Sequence, residues 1–143
     1  MTGSYAIDAE RAFARARRTR RRAALARVLR RAPSELGRLN VYDERRVRRS
    51  GAHLHGIREI PLAEIDGTFE PSKAAQFDRG FRPARGASIR WQRVWMAEQR
   101  GAVLPPISVV PTDDGYAVRD GHHRVSVAKA RGATTIDAEV VAA

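Results

Sequence analysis

Between Leu104 and Val140, apolar runs, turns and one glycine alternate at a pitch that restricts the choice of fold. Ile107 to Val110 is an apolar run, Asp113-Asp114-Gly115 reads as a turn, and Tyr116 to Val118 follows as a second strand. Asp120-Gly121-His122-His123-Arg124 then redirects the chain. Val125 to Arg131 predicts a helix that Gly132 ends, and Thr135 to Val141 sets Ile136, Ala138 and Val140 at the two-residue period of a last strand. Strand, turn, helix and returning strand make an α/β unit.

Upstream, Ile57 to Ile65 is β-compatible, with Pro61 marking an edge strand or an interruption and Asp66-Gly67 a closing turn. The stretch to Pro83 is irregular. Ser88 is placed to cap a helix over Ile89 to Arg100, with Gly101 ending it and Trp91, Val94 and Trp95 on its apolar face. The tryptophans are expected to pack against the sheet rather than stack on bases. The predicted order is β, α, β, β, α, β.

Charge divides the chain. With 143 residues and 43% apolar content, it can bury one modest core. Residues 1–50 hold fifteen arginines against five acids, so ten of the eleven net positive charges lie there. Residues 1–50 are therefore expected to form a basic, largely helical arm, residues 51–56 a linker with His53 and His55, and residues 57–143 the folded domain. Asp8 to Arg31 reads as helix, closed by Pro33. Six arginines in the eight residues Arg15 to Arg22 repel one another along it, so a free helix is marginal until an anion screens them. Arg15, Arg17, Arg18, Arg20, Arg21 and Arg22, with Arg45, Arg46, Arg48 and Arg49, are the candidate nucleic-acid-binding residues. Arg79, Arg82 and Arg85 are lesser candidates.

The absence of cysteine removes disulfides, thiolate metal sites and thiol nucleophiles. No apolar stretch has the length of a membrane span and no signal-peptide core follows Met1, so a cytoplasmic protein without a membrane partner is expected.

The turn at 120–124 carries the chemistry. Gly121 lets the backbone approach an anion, and the amides after it open a helix at the positive end of its dipole. Arg124, His122 and His123 can add donors. Asp120 can cap the helix, orient an imidazole or help hold Mg²⁺. A purely structural turn with solvent-facing histidines fits the same residues. Adjacent histidines diverge along a helix and no HExxH pattern is present, so no metal site is assigned.

The segments Leu104-Pro105-Pro106-Ile107-Ser108-Val109, Tyr116 to Ala128 with its Asp-Gly-His-His-Arg turn, Gly132 and Ile136 to Val140 resemble the ParB/sulfiredoxin superfamily, and Ile60-Pro61-Leu62-Ala63-Glu64-Ile65 resembles its opening strand. The resemblance implies a small ParB/sulfiredoxin-like α/β (α+β) fold, a mixed sheet with packed helices, here preceded by the Arg-rich helical arm. It also implies that Gly121, His122, His123 and Arg124 bind the phosphates of a nucleotide: CTP as in partition proteins, ATP as in sulfiredoxins, or ADP as in free-serine kinases, with or without Mg²⁺. His122 stands where sulfiredoxins carry their nucleophilic cysteine, so that activity is not expected. Partition proteins have a Gly-Glu-Arg-Arg turn and continue into a helix-turn-helix and a dimerisation domain, neither of which follows Ala143; their site-specific role is not expected either. The turn is worded most like the free-serine kinases.

Three uses of the phosphate are open: a ParB-like nucleotide-binding protein associated with nucleic acid or with regulation, a small ADP- or ATP-dependent phosphotransferase, or a scaffold whose turn has lost its ligand. An enzyme of this kind would be a nucleotide-dependent kinase or hydrolase, with Asp120, His122 and Glu70 as its catalytic candidates. Expected partners are a nucleotide, nucleic acid through the arm, and a second copy of the chain.

Overall fold

The computed structural model describes residues 2–47 and 56–142. Arg48, Arg49, His53 and His55, and with them most of the expected linker, lie outside the described residues. The elements are α1 (Thr2–Leu29), β1 (Asn40–Val41), β2 (Gly56–Pro61), β3 (Ile65–Thr68), α2 (Ser88–Gln99), β4 (Ile107–Pro111), β5 (Tyr116–Asp120), α3 (His122–Ala130) and β6 (Thr135–Val140). The strands form one mixed six-stranded sheet in the order β1-β3-β5-β4-β6-β2, and the fold class is α/β. No described helix is long and apolar enough to cross a membrane.

Pro61 does what its missing N–H requires. It ends β2, an edge strand antiparallel to β6, and a 3-10 turn over Leu62–Glu64 carries the chain to the other side of the sheet. There β3 runs parallel to β5. Asp66-Gly67 is therefore not the expected turn; it lies inside β3. Gly67 is demanded by close approach, because a Cβ there would press into the Tyr42 ring and within 2.7 Å of the Asn40 carbonyl. That approach also brings in β1, paired with Gly67 and Thr68, which was not foreseen.

Two hydrophobic clusters meet at α3. Val125 and Ala128 join Ile60, Ile65, Ile107, Val109, Val118, Phe77 and Phe81 in the core on the sheet. Val127 belongs to a second cluster with Trp91 and Trp95 of α2 and Ala9, Ala12, Phe13 and Ala16 of α1. The tryptophans are buried, but against helices rather than the expected sheet. Phe13 meets Trp91 edge-on, with ring centroids 5.5 Å apart, and Trp91 Nε1 donates to Ser126 Oγ at 2.8 Å. Ser88 is not the cap of α2. It is already helical and accepts from Gln92 Nε2 at 2.9 Å, and the chain enters α2 through a 3-10 turn over Arg85–Ala87.

Docking also answers the repulsion within α1. Its small residues at 9, 12 and 16 let the helix approach α2 closely, and Arg17 and Arg20 donate to the carbonyls of Pro83 and Arg82 at 3.2 and 3.1 Å. Arg31, at φ 55°, and Ala32, whose N–H reaches back to the Arg27 carbonyl at 2.9 Å, close the helix before Pro33. Phe13→Ala removes the ring against Trp91 and should lower stability by about 3 kcal/mol in urea denaturation, with α1 losing helicity by circular dichroism. A loss below about 1 kcal/mol would show that α1 does not depend on this contact.

Candidate functional site

β5 delivers Asp120 at its end, Gly121 turns the chain at φ 110° and ψ 23°, and α3 begins at His122. The glycine serves two ends. Its left-handed backbone suits no other residue well, and a Cβ would run into the Ile107 side chain of β4. The first turn of α3 receives no side-chain cap. Asp120, expected as a possible cap, instead pairs with Arg124 at 3.1 Å. The opening amides of α3 are left for a ligand or water.

Arg124 is a clamp as much as a donor. Its Nη1 donates to the carbonyls of Pro105 and Pro106, the latter at 3.2 Å, and its Nη2 to Asp120, so the segment before β4 is tied to the turn. Much of its donor capacity is thereby used within the protein.

Both histidines are buried, at 3% exposure for His122 and 8% for His123, unlike the solvent-facing pair of a purely structural turn. His122 Nε2 lies 2.7 Å from Thr68 Oγ1, and its ring stacks on Phe77. Thr68 Oγ1 in turn accepts from the Glu70 N–H at 2.9 Å. His123 meets Phe77 edge-on at 5.1 Å. Burial, then the nearby Lys73, lowers both imidazoles to about 4; His123 adds to the effect on His122, Arg90 to that on His123, and Asp120 weakly opposes the former. Both rings are neutral at pH 7.

A cleft of about 310 Å³ opens over the turn. Asp120 through Arg124 line it together with Glu70, Lys73, Arg90 and Arg119. The structure thus brings Glu70 to the same cleft as Asp120 and His122. Lys73, Arg90 and Arg119 were not anticipated. Arg119 directly precedes the turn and Lys73 is one of only two lysines, signals that could have drawn notice; Arg90 reaches the cleft through helix packing that no local pattern announces. Among the described residues, no group of three or more histidine and acidic side chains is placed to hold a metal ion.

No protein-family model matches the chain, and no curated protein matches it. Among solved structures, it is similar to the crystal structure of sulfiredoxin from Arabidopsis thaliana. That likeness has 19% sequence identity and a TM-score of 0.44, over 62% of this chain and 86% of the other.

The basic residues of the first fifty divide by orientation. Arg17 and Arg20 are committed to the 82–83 carbonyls, and Arg46 pairs with Asp114 at 3.3 Å while lying over the Tyr42 ring at 4.2 Å. Arg15, Arg18, Arg21, Arg22 and Arg45 are exposed. Arg11, also exposed, extends a row with Arg15, Arg18 and Arg22 at four-, three- and four-residue spacing, one stripe of a helix. Arg79 and Arg82 are turned to structural work: Arg79 donates to the Arg38 carbonyl and to Asn40 Oδ1, and Arg82 pairs with the buried Asp78.

The histidines carry a pH signature. Their folded values lie below the ordinary 6.5, so the unfolded chain takes up protons first. Stability is complete above pH 6.5 and falls as the pH drops toward 4. Between pH 6.5 and 5, above the ordinary carboxylate range, urea denaturation should show a loss of roughly 1–2 kcal/mol per ring. His123→Gln should halve the decline, and a midpoint independent of pH over this interval would contradict buried neutral rings.

Proposed function

We propose that the protein is a ParB-like nucleotide-binding protein of the ParB/sulfiredoxin superfamily, taking nucleotide phosphates at the Asp120–Arg124 turn. The observation that carries this reading is the cleft itself. The uncapped start of α3 opens toward a space lined by Lys73, Arg90 and Arg119, where helix dipole, free amides and cations act in one direction. Burial chiefly, and Lys73 after it, disfavours the charged form of both imidazoles, so the floor of the cleft is neutral beneath its cations. His122 and His123 form the floor, and Arg124 holds the turn in shape. Glu70 and Asp120, the carboxylates lining the cleft, would hold Mg²⁺ if it accompanies the phosphates.

Calorimetry with CTP, ATP, ADP and GTP, with and without Mg²⁺, tests this. At least one should bind, and Lys73→Ala and Arg90→Ala should each weaken it by about tenfold, the value of one charge-assisted contact. These residues are better probes than Arg124, whose removal also frees Pro105 and Pro106. No binding by any of the four would leave the scaffold reading.

The second reading is a small ADP- or ATP-dependent phosphotransferase resembling the free-serine kinases, favoured by the place of Glu70 in the cleft. Its backbone is fixed through Thr68, and its exposed carboxylate can accept a proton from an acceptor hydroxyl. Incubation with ATP or ADP and an acceptor panel that includes free serine separates the two readings. A phosphorylated product abolished by Glu70→Gln selects the enzyme, whereas binding without product selects the passive module.

The basic segment 1–50 supplies the nucleic-acid association. The exposed row Arg11, Arg15, Arg18 and Arg22 presents about four cations along one side of α1. Counterion release by four phosphate contacts gives a slope of log affinity against log salt of roughly −3.5 on duplex DNA. Charge-swapping Arg15 and Arg18 to glutamate should abolish retention on DNA, and retention that ignores salt would exclude this role.

A further inference from the structure

A second cavity, larger than the cleft over the turn, lies elsewhere in the fold. A space of about 710 Å³ lies between α1, the loop at 80–83, α2 and the C-terminal half of α3, and it shares no lining residue with the phosphate cleft. Its volume falls within the range of small-molecule sites.

Every charged side chain that lines it is basic: Arg15, Arg82, Lys129 and Arg131. Two of these are already neutralised. Arg82 pairs with Asp78, and Arg131 pairs with Glu98 at 3.0 Å and donates to Gln99 and to the Trp95 carbonyl. Lys129 and Arg15 are not. Among the described residues Lys129 has no hydrogen bond or ion pair; its ammonium rests over the Phe81 ring at 5.6 Å. It is also partly buried, and burial followed by Arg82 disfavours its charge, against the pull of Asp78 and Asp66. Ser126, 2% exposed, accepts from Trp91, and its hydroxyl proton has no acceptor among the described residues. The walls between these donors are apolar, with Phe81, Pro83, Trp95 and Ala16. Donors stand unused, and no acid is among the residues that line the cavity.

We infer that this cavity binds a small organic anion, a phosphate monoester or carboxylate carried on an apolar body, with Lys129 as its anchor, Arg15 at the mouth and Ser126 donating from the floor. A partly buried ammonium over an aromatic ring, with no ion-pair or hydrogen-bond partner among the described residues, is completed by an oxyanion, and the apolar walls take the body that carries it. Neither an inorganic ion nor a neutral aromatic satisfies both halves. Because α1 supplies one wall, such a ligand also fastens α1 to α3.

The chain has two tryptophans, Trp91 with no exposed surface and Trp95 lining the cavity, so emission from the full-length protein reports occupancy. Phenyl phosphate and benzoate distinguish the two oxyanion sources; inorganic phosphate and benzyl alcohol each lack one half of the ligand. At least one of the aryl anions is expected to change the emission saturably, and to bind at least about tenfold more tightly than either control. Lys129→Gln should weaken that binding by about tenfold or more, and Arg15→Ala, on the exposed surface where the fold is not at stake, by severalfold. Lys73→Ala, in the other cleft, should bind as the unaltered protein does. The inference is overturned by no saturable change with either aryl anion, by benzyl alcohol binding equally well, by Arg15→Ala binding at full strength, or by loss of binding in Lys73→Ala. The last outcome would assign the anion to the turn, so failure here and failure of nucleotide binding there are read separately.

Discussion

One buried contact, Thr68 Oγ1 to His122 Nε2, joins the end of β3 to the beginning of α3. These elements are parted by more than fifty residues, and the cleft lies between the segment leaving β3 and the turn leading into α3. The same hydroxyl accepts the Glu70 N–H, so one oxygen sets both the acidic side of the cleft and the helix that forms its floor. An imidazole in this position must stay neutral, because a charged ring would be paired with a hydroxyl in an apolar surrounding of Phe77 and Phe81. The site is thus rigid at its base and cationic at its rim.

The outer layer depends on Trp91. Its ring receives Phe13, its indole N–H reaches Ser126, and so one side chain of α2 touches both other helices. The basic helix gains an apolar seam narrow enough to leave most of its circumference charged. This reconciles an arginine-rich segment with an ordered structure: packing of Ala9, Ala12, Phe13 and Ala16, not intrinsic propensity, offsets the repulsion along it.

Local pattern determines the parts of the fold that could be read in advance. The β4–β5 hairpin, the Gly121 turn, the helix after it and β6 are each written in contiguous residues whose period or turn chemistry has few solutions. Pro61 likewise announced an edge. Gly67 misled because a glycine that permits a turn and a glycine that permits a ring to lie on a strand look alike in one dimension. β1 has no local signature, because two residues carry no periodicity; its place comes from pairing with β3, far along the chain. The cleft was half visible for the same reason. Asp120 to Arg124 are neighbours in sequence, whereas Lys73 and Arg90 become their neighbours through tertiary contact. The histidines were readable as donors, but their burial depends on Phe77, a residue of the stretch that showed no pattern.

The division of arginines on α1 sets different rules for sequence drift on its two sides. On the outward row a lysine carries the same charge into the same water, and exchange between the two basic residues costs little. Arg17 and Arg20 reach loop carbonyls from partly covered positions, where a weakly hydrated planar guanidinium loses less than a compact ammonium would. A chain with this fold can therefore trade its basic residues freely along one edge of α1 and hardly at all along the other, although composition records both as the same positive charge.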